Sequence, residues 1–189
     1  MMAIIIFVTA FFSVGLQLTL ERASGHLKRI MATPISAGTI IMSTVARGIL
    51  LTLAGIVIMQ IIGYIKFDRA PPLHIFQFTL SFMLAAFAMF SIGVSLNILA
   101  KNLQHAMAMN FIIFYPMLFL SGATIPLSVM PESMQAASDY IPLKYVVVLL
   151  QNAWLGDLFT VSSIKPTIVL TVLSVVTVFA STKLFKWDQ

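Results

Sequence analysis

Apolar residues fill five long runs of this chain, and most of what is polar lies between them. The runs cover about 2–20, 41–65, 74–99, 106–124 and 164–183. A helix rises about 1.5 Å per residue, so roughly 20 residues cross a hydrocarbon core about 30 Å thick. Every run is near or above that length. The pattern predicts an all-α polytopic membrane protein of about five transmembrane helices. The connections are short and no internal repeat divides them, so residues 1–189 form a single domain.

Two connections are more than turns. The first, "LERASGHLKRIMATPIS" at 20–36, gathers Glu21, Arg22, His26, Lys28 and Arg29 between two apolar runs. As a helix it puts Leu20, Ala23, Leu27, Ile30 and Met31 on one face. Arg22, His26 and Arg29 take the other side, with Glu21 and Lys28 at its margins. Thr33-Pro34 stops such a helix, because the residue before proline is pushed out of the α region. Ser36 then stands where it can cap the next one. The stretch reads as a short amphipathic helix, about 20–33, lying on the membrane surface. A loop that sets topology and touches only lipid headgroups fits the same composition.

The second is "PMLFLSGATIPLSVMPESMQAASDYIPLKYVVVLLQNAW", 116–154. With Pro116, Pro126, Pro131 and Pro142 it cannot be one helix. Pro131 and Glu132 suit a helix's first turn, where the missing N–H is harmless and a carboxylate meets the positive dipole end. Met130, Met134, Ala137 and Ile141 would form its apolar face. The apolar "LKYVVVLLQNAWL" that follows is too short to cross. Residues 125–155 therefore read as a broken element re-entering the membrane, or as an external cap. Non-helical backbone survives at membrane depth only when buried in protein or lining a wet cavity.

Charge orients the chain. Of the 11 Lys and Arg, seven fall on one side if 20–36 is cytoplasmic: Arg22, Lys28, Arg29, Arg47, Lys101, Lys183 and Lys186. Lys66, Arg69, Lys144 and Lys165 fall on the other, and the excess favours that orientation. Arg47 and Lys66 are roughly 28 Å apart along a straight helix, so each can reach an interface. The basic balance forms no stripe, which argues against nucleic acid. With 60% hydrophobic and 9% charged residues, a polar surface for a soluble core is lacking. The absence of Cys excludes disulfides and thiolate metal sites.

Other candidates are thin. His26, His74 and His105 lie in separate connections without metal-ligand spacing, so no metal site is expected. Asn97, Asn102 and Asn110 suit bonds between helices or a pathway. Ser91, Gly93 and Ser95, and Gly48 with Gly55, place small residues where helices can approach. No Gly-rich phosphate loop occurs, and no catalytic set of Ser, His and Asp. The scarcity of ionisable groups in the runs argues against an ion-coupled pump.

The two connections together resemble the signatures of type-2 ABC transporter permeases. "LERASGHLKRIMATPIS" is similar to that family's Glu-Arg…Gly-x-x-Lys-Arg…Thr-Pro-Ile-Ser motif, which follows the second span. "FLSGATIPLSVMPESMQAASDYIPLKYVVVLLQNAW" is similar to the Ser-Gly…Met-Pro…Pro-Leu-x-Tyr segment before the last span. The resemblance covers essentially the whole chain. It implies the membrane subunit of an ABC exporter, moving a hydrophobic or amphipathic substrate (drug, antibiotic or lipid-linked) out across the plasma membrane of a bacterium. The first motif would be a cytoplasmic coupling helix docking on an ATPase subunit, through Glu21, Arg22, Gly25, Lys28, Arg29, Thr33 and Pro34. Gly122, Pro126, Pro131, Pro142 and Tyr145 would belong to an extracellular re-entrant element. A second permease subunit would complete the pathway. No catalytic residue and no cofactor are expected in this chain; ATP and Mg²⁺ would be held by the ATPase. The family has six spans, so a first span is expected to be missing here. A non-transporting scaffold or immunity subunit that binds an ATPase is the alternative.

Overall fold

The computed structural model describes residues 1–24, 37–67 and 72–184. Helix α1 (Met2–Val8), a π-helical stretch (Thr9–Gly15) and α2 (Leu16–Ala23) run on as one first span. There follow α3 (Ala37–Phe67), α4 (Ile75–Ile98) and α5 (Leu103–Leu120). A 3₁₀ turn (Leu127–Val129), α6 (Glu132–Ser138), α7 (Pro142–Leu155) and α8 (Val161–Leu184) complete the fold. Among the described residues five helices are long and apolar enough to cross a membrane: Met2–Arg22, Gly38–Lys66, Ile75–Ile98, Leu103–Leu120 and Val161–Lys183. The chain is an all-α, multi-pass membrane protein.

The fourth span is shifted from the expected 106–124 to Leu103–Leu120. Asn102 sets its start: the extended residue accepts a hydrogen bond from the His105 N–H on Oδ1 at 2.8 Å, an N-cap. Beyond its end, Gly122 takes φ +77°, a left-handed turn that side chains resist. Pro116 does not interrupt α5. It forgoes one backbone bond near the helix end, a loss that membrane helices tolerate.

Helix α4 is the hub. It packs against the first span, α3, α5, α7 and α8, burying its Phe78, Phe82, Ala85, Met89, Phe90 and Val94, among others, while Phe76 and Leu80 are exposed. Its small residues allow close approach. At Gly93 an added Cβ would lie 2.5 Å from the Ala10 carbonyl oxygen, so the helix backbone rests on the π-helical stretch. Two residues on, Ser95 Oγ meets Ser181 Oγ at 2.6 Å and donates to the Thr177 carbonyl at 3.0 Å, binding α4 to α8. Gly48 abuts Phe90 and Val14, whereas Gly55 faces open space. Phe7 anchors the other side, edge-on to Phe11 at 4.7 Å and stacked on Phe114 at 4.8 Å.

Helix α7 has 14 residues, too few to cross, yet Leu143, Val146, Leu149 and Ala153 are fully buried against the first span, α4 and α8. Pro142 occupies its first turn, and Gly156 ends it at φ +86°. Of the expected apolar face of α6, Ile141 is partly buried against the core, whereas Met134 and Ala137 are exposed. By contrast α3 exposes Leu50, Leu51, Val57, Ile58, Ile61, Ile62 and Ile65, an apolar surface suited to lipid or to another membrane chain.

Candidate functional site

At the end of the first span two adjacent charges part company. Glu21 turns to the side, where its Oε1 accepts from Gln17 Nε2 at 3.0 Å and pairs with Arg47 Nη2 of α3 at 3.3 Å. The pair is half exposed, which limits it to roughly 0–1 kcal/mol. Arg22, expected on the polar face with His26 and Arg29, is turned inward and is 8% exposed. Its Nη1 donates to the carbonyls of Ile98 at 3.0 Å and Ala100 at 3.5 Å. Ile98 is the last residue of α4, so the guanidinium sits at the negative end of that helix, on carbonyls the helix leaves unpaired. Of the other predicted coupling residues, Gly25, Lys28, Arg29, Thr33 and Pro34 lie outside the described residues.

Polar contacts continue inward from Arg22. Thr19 Oγ1 donates to the Asn97 carbonyl at 3.4 Å. Asn97 and Asn110 exchange amide bonds at 3.2 and 3.3 Å. Asn97 Nδ2 also donates to the Gly93 carbonyl at 2.8 Å, and Asn110 Nδ2 to the Phe11 carbonyl at 2.9 Å. Both side chains are about 1% exposed and fully engaged, so they stabilise where a lone buried amide would cost about 1–3 kcal/mol. The space beside them comes from Gly15, where any Cβ would strike the Asn97 amide. The column thus links the first span, α4 and α5, and ends on the π-helical stretch, a geometry often found at functional positions. Of the three asparagines, two join helices and Asn102 caps one.

The second candidate region is a helix–turn–helix. Gly122 and Pro126 shape the lead-in, Pro131 precedes α6, and Pro142 opens α7. Tyr145, buried in α7, donates its hydroxyl to the Asp139 carbonyl at 2.7 Å and ties the end of α6 down. Lys144 Nζ reaches Ser138 Oγ at 2.8 Å and Asp139 Oδ1 at 2.9 Å, with Lys165 Nζ 3.8 Å from the same carboxylate. The Lys144 hydrogen bond, then the charges of Lys144 and Lys165, hold the Asp139 carboxyl below its usual range. A depressed carboxyl stabilises above its unfolded value of about 3.9 and loses that contribution as pH falls through the lower folded value. Amide exchange of residues 132–140, corrected for intrinsic rates, should accelerate below about pH 4 and stay flat above it. Asp139→Asn should remove the acid dependence.

Among the described residues, no group of three or more His, Asp or Glu could hold a metal ion. Asn97 and Asn110 make the bond between helices that their sequence positions suggested, whereas sequence reasoning missed the inward turn of Arg22 and the tie from Asn152 Nδ2 to Ser163 Oγ at 2.9 Å between α7 and the start of α8.

A sequence model of the ABC-2 type transporter family matches residues 1–155. The chain belongs to the ABC-2 type transporter family. Comparison with curated proteins and with solved structures gives no match. The matched part takes in the first four spans and both short helices, and stops at the last residue of α7. As an ABC-2 membrane domain the chain is a permease subunit of an ABC transporter, a class that works with an ABC ATPase in a lipid bilayer. Its part is passage and not catalysis.

Proposed function

We propose that this permease is the membrane subunit of an ATP-driven exporter, which moves a hydrophobic or amphipathic compound outward across the plasma membrane of a bacterium. Residues 20–36 lie in the cytosol and dock on the ATPase subunit as a coupling helix. Residues 125–155 re-enter from the outside and cover the exit. Two permease subunits stand side by side with the route between them, and ATP with Mg²⁺ is held by the ATPase.

The observation that carries the reading is how the docking segment is attached. It leaves from a helix end gripped on two sides, by Glu21 to Arg47 of α3 and by Arg22 to the end of α4. A displacement at 25–36 would therefore reach α3 and α4 at once, and α4 is the helix on which the others pack. Arg22 accordingly acts as a positioning residue within the permease, while Lys28 and Arg29 face the ATPase. Charge complementarity at such a contact sets partner choice and register. Burial of the 14-residue α7 supports the re-entrant reading, because an uncrossed helix at membrane depth needs protein around it.

The test is ATP-dependent efflux of hydrophobic dyes and amphipathic antibiotics from vesicles holding the permease with its ATPase. Efflux that stops with a non-hydrolysable nucleotide is the expected result. Stable ATPase binding with no efflux of any compound would favour a scaffold.

A further inference from the structure

A cavity of about 500 Å³ lies between α4, α7 and α8, well away from the Arg22 column. That volume falls within the roughly 300–1,000 Å³ of small-molecule sites. Leu84 and Leu149 line it, and no charged side chain does. At its mouth Leu80, Ile164 and Ile168 are exposed on two membrane-spanning helices, so it opens sideways toward hydrocarbon.

One polar atom in the lining has no partner. Ser81 is 2% exposed, and its Oγ makes no hydrogen bond among the described residues. Many hydroxyls in these spans bond back one turn, as Thr52, Ser91 and Ser181 do to Gly48, Phe87 and Thr177. The other lining hydroxyls are engaged: Ser163 Oγ donates to the Asp157 carbonyl at 3.0 Å, and Thr167 Oγ1 to the Ser163 carbonyl at 2.8 Å. One turn before Ser81 on the same face, Gln77 buries its Oε1 without a donor. Buried polar atoms are nearly always satisfied, so the Ser81 orphan in the lining marks where a polar group from outside belongs. A hydroxyl in the cavity can donate to Ser81 Oγ, which lines it and can accept as well as donate.

We propose that this cavity binds an uncharged, hydroxyl-bearing lipid that enters sideways from the bilayer. Its apolar body lies against Leu84, Leu149 and Ile168, and its hydroxyl meets Ser81. The lack of charge in the lining disfavours phosphate and carboxylate headgroups, which are costly to bury unpaired. The proposal does not depend on the chain exporting anything.

The probe is 1-hexadecanol carrying a diazirine in its chain, applied to the full chain in phosphatidylcholine vesicles. Photolabelling should concentrate on Leu84 and Ile168. Unlabelled 1-hexadecanol should displace the probe at about three- to tenfold lower concentration than its methyl ether, which cannot donate; that ratio is what one hydrogen bond is worth. Ser81→Ala should erase the difference, and its fold is not at risk because the lost hydroxyl has no partner. Ser91→Ala, which loses a hydroxyl bonded to its own helix, should preserve it. Labelling no stronger than at lipid-facing Ile61 and Val175, equal competition in the wild type, or an unchanged preference in Ser81→Ala would each overturn the proposal.

Discussion

Gly93→Val is expected to abolish recovery of folded permease, whereas Gly55→Val leaves yield and melting near the wild type. A Cβ at position 93 would stand 2.5 Å from the Ala10 oxygen and 2.9 Å from its carbonyl carbon. Both belong to backbone, so no rotamer change can relieve the contact. Pushing the first span away would also pull the Phe11 carbonyl from Asn110 and the Thr19 hydroxyl from the Asn97 carbonyl. Overpacking a core typically costs about 1–3 kcal/mol, and here backbone shift and broken amide bonds add to it. At Gly55 nothing lies within 4 Å of an added Cβ, so the same substitution meets no protein. Fluorescence-detected size exclusion in detergent reads both variants. A monodisperse Gly93→Val with an unchanged melting temperature would mean that α4 and the first span do not touch there.

The second large effect separates two arginines that share a motif. Arg22→Glu should lower stability by about 3 kcal/mol or more. It removes a charge-assisted bond worth about 1.5–3 kcal/mol and turns a carboxylate on the Ile98 and Ala100 carbonyls, at the negative end of α4. Arg22→Lys keeps the charge without the planar fork and should fall between. Arg29→Glu should leave melting unchanged and reduce the response of ATP hydrolysis to the permease, because on the proposed reading it meets the ATPase. Thermal melting and permease-dependent ATPase rates give the two answers. Matching losses in both assays for both variants would remove the distinction between a positioning and a docking arginine.

The spans were legible because each run of apolar residues is long enough to decide the matter alone. Their ends were less so. Leu103, Gln104 and His105 read as connection until the Asn102 cap is seen to start the helix before them. The brevity of α7 could be read from "LKYVVVLLQNAWL"; its burial could not, because that depends on three other elements. Arg22 shows why local amphipathicity misleads at a span's end. Its direction follows the rotation of the first span, set by Phe7, Phe11 and Val14 in the core, and not the pattern of 25–36. The Asn97–Asn110 pair was open to suspicion from composition alone, yet only packing could bring together residues on separate helices. The π-helical stretch carries no signal that the sequence analysis could use.

The most direct test of the central claim is a photo-crosslinking amino acid at position 28, with a control at position 140, in membranes of the native host. If this permease couples to ATP hydrolysis through residues 20–36, illumination should join Lys28→crosslinker to a polypeptide that also takes up azido-ATP, and the Tyr140→crosslinker chain should give no such adduct. An ATP-binding adduct from position 140, or none from 28 in membranes where the ATPase is present, would contradict the account.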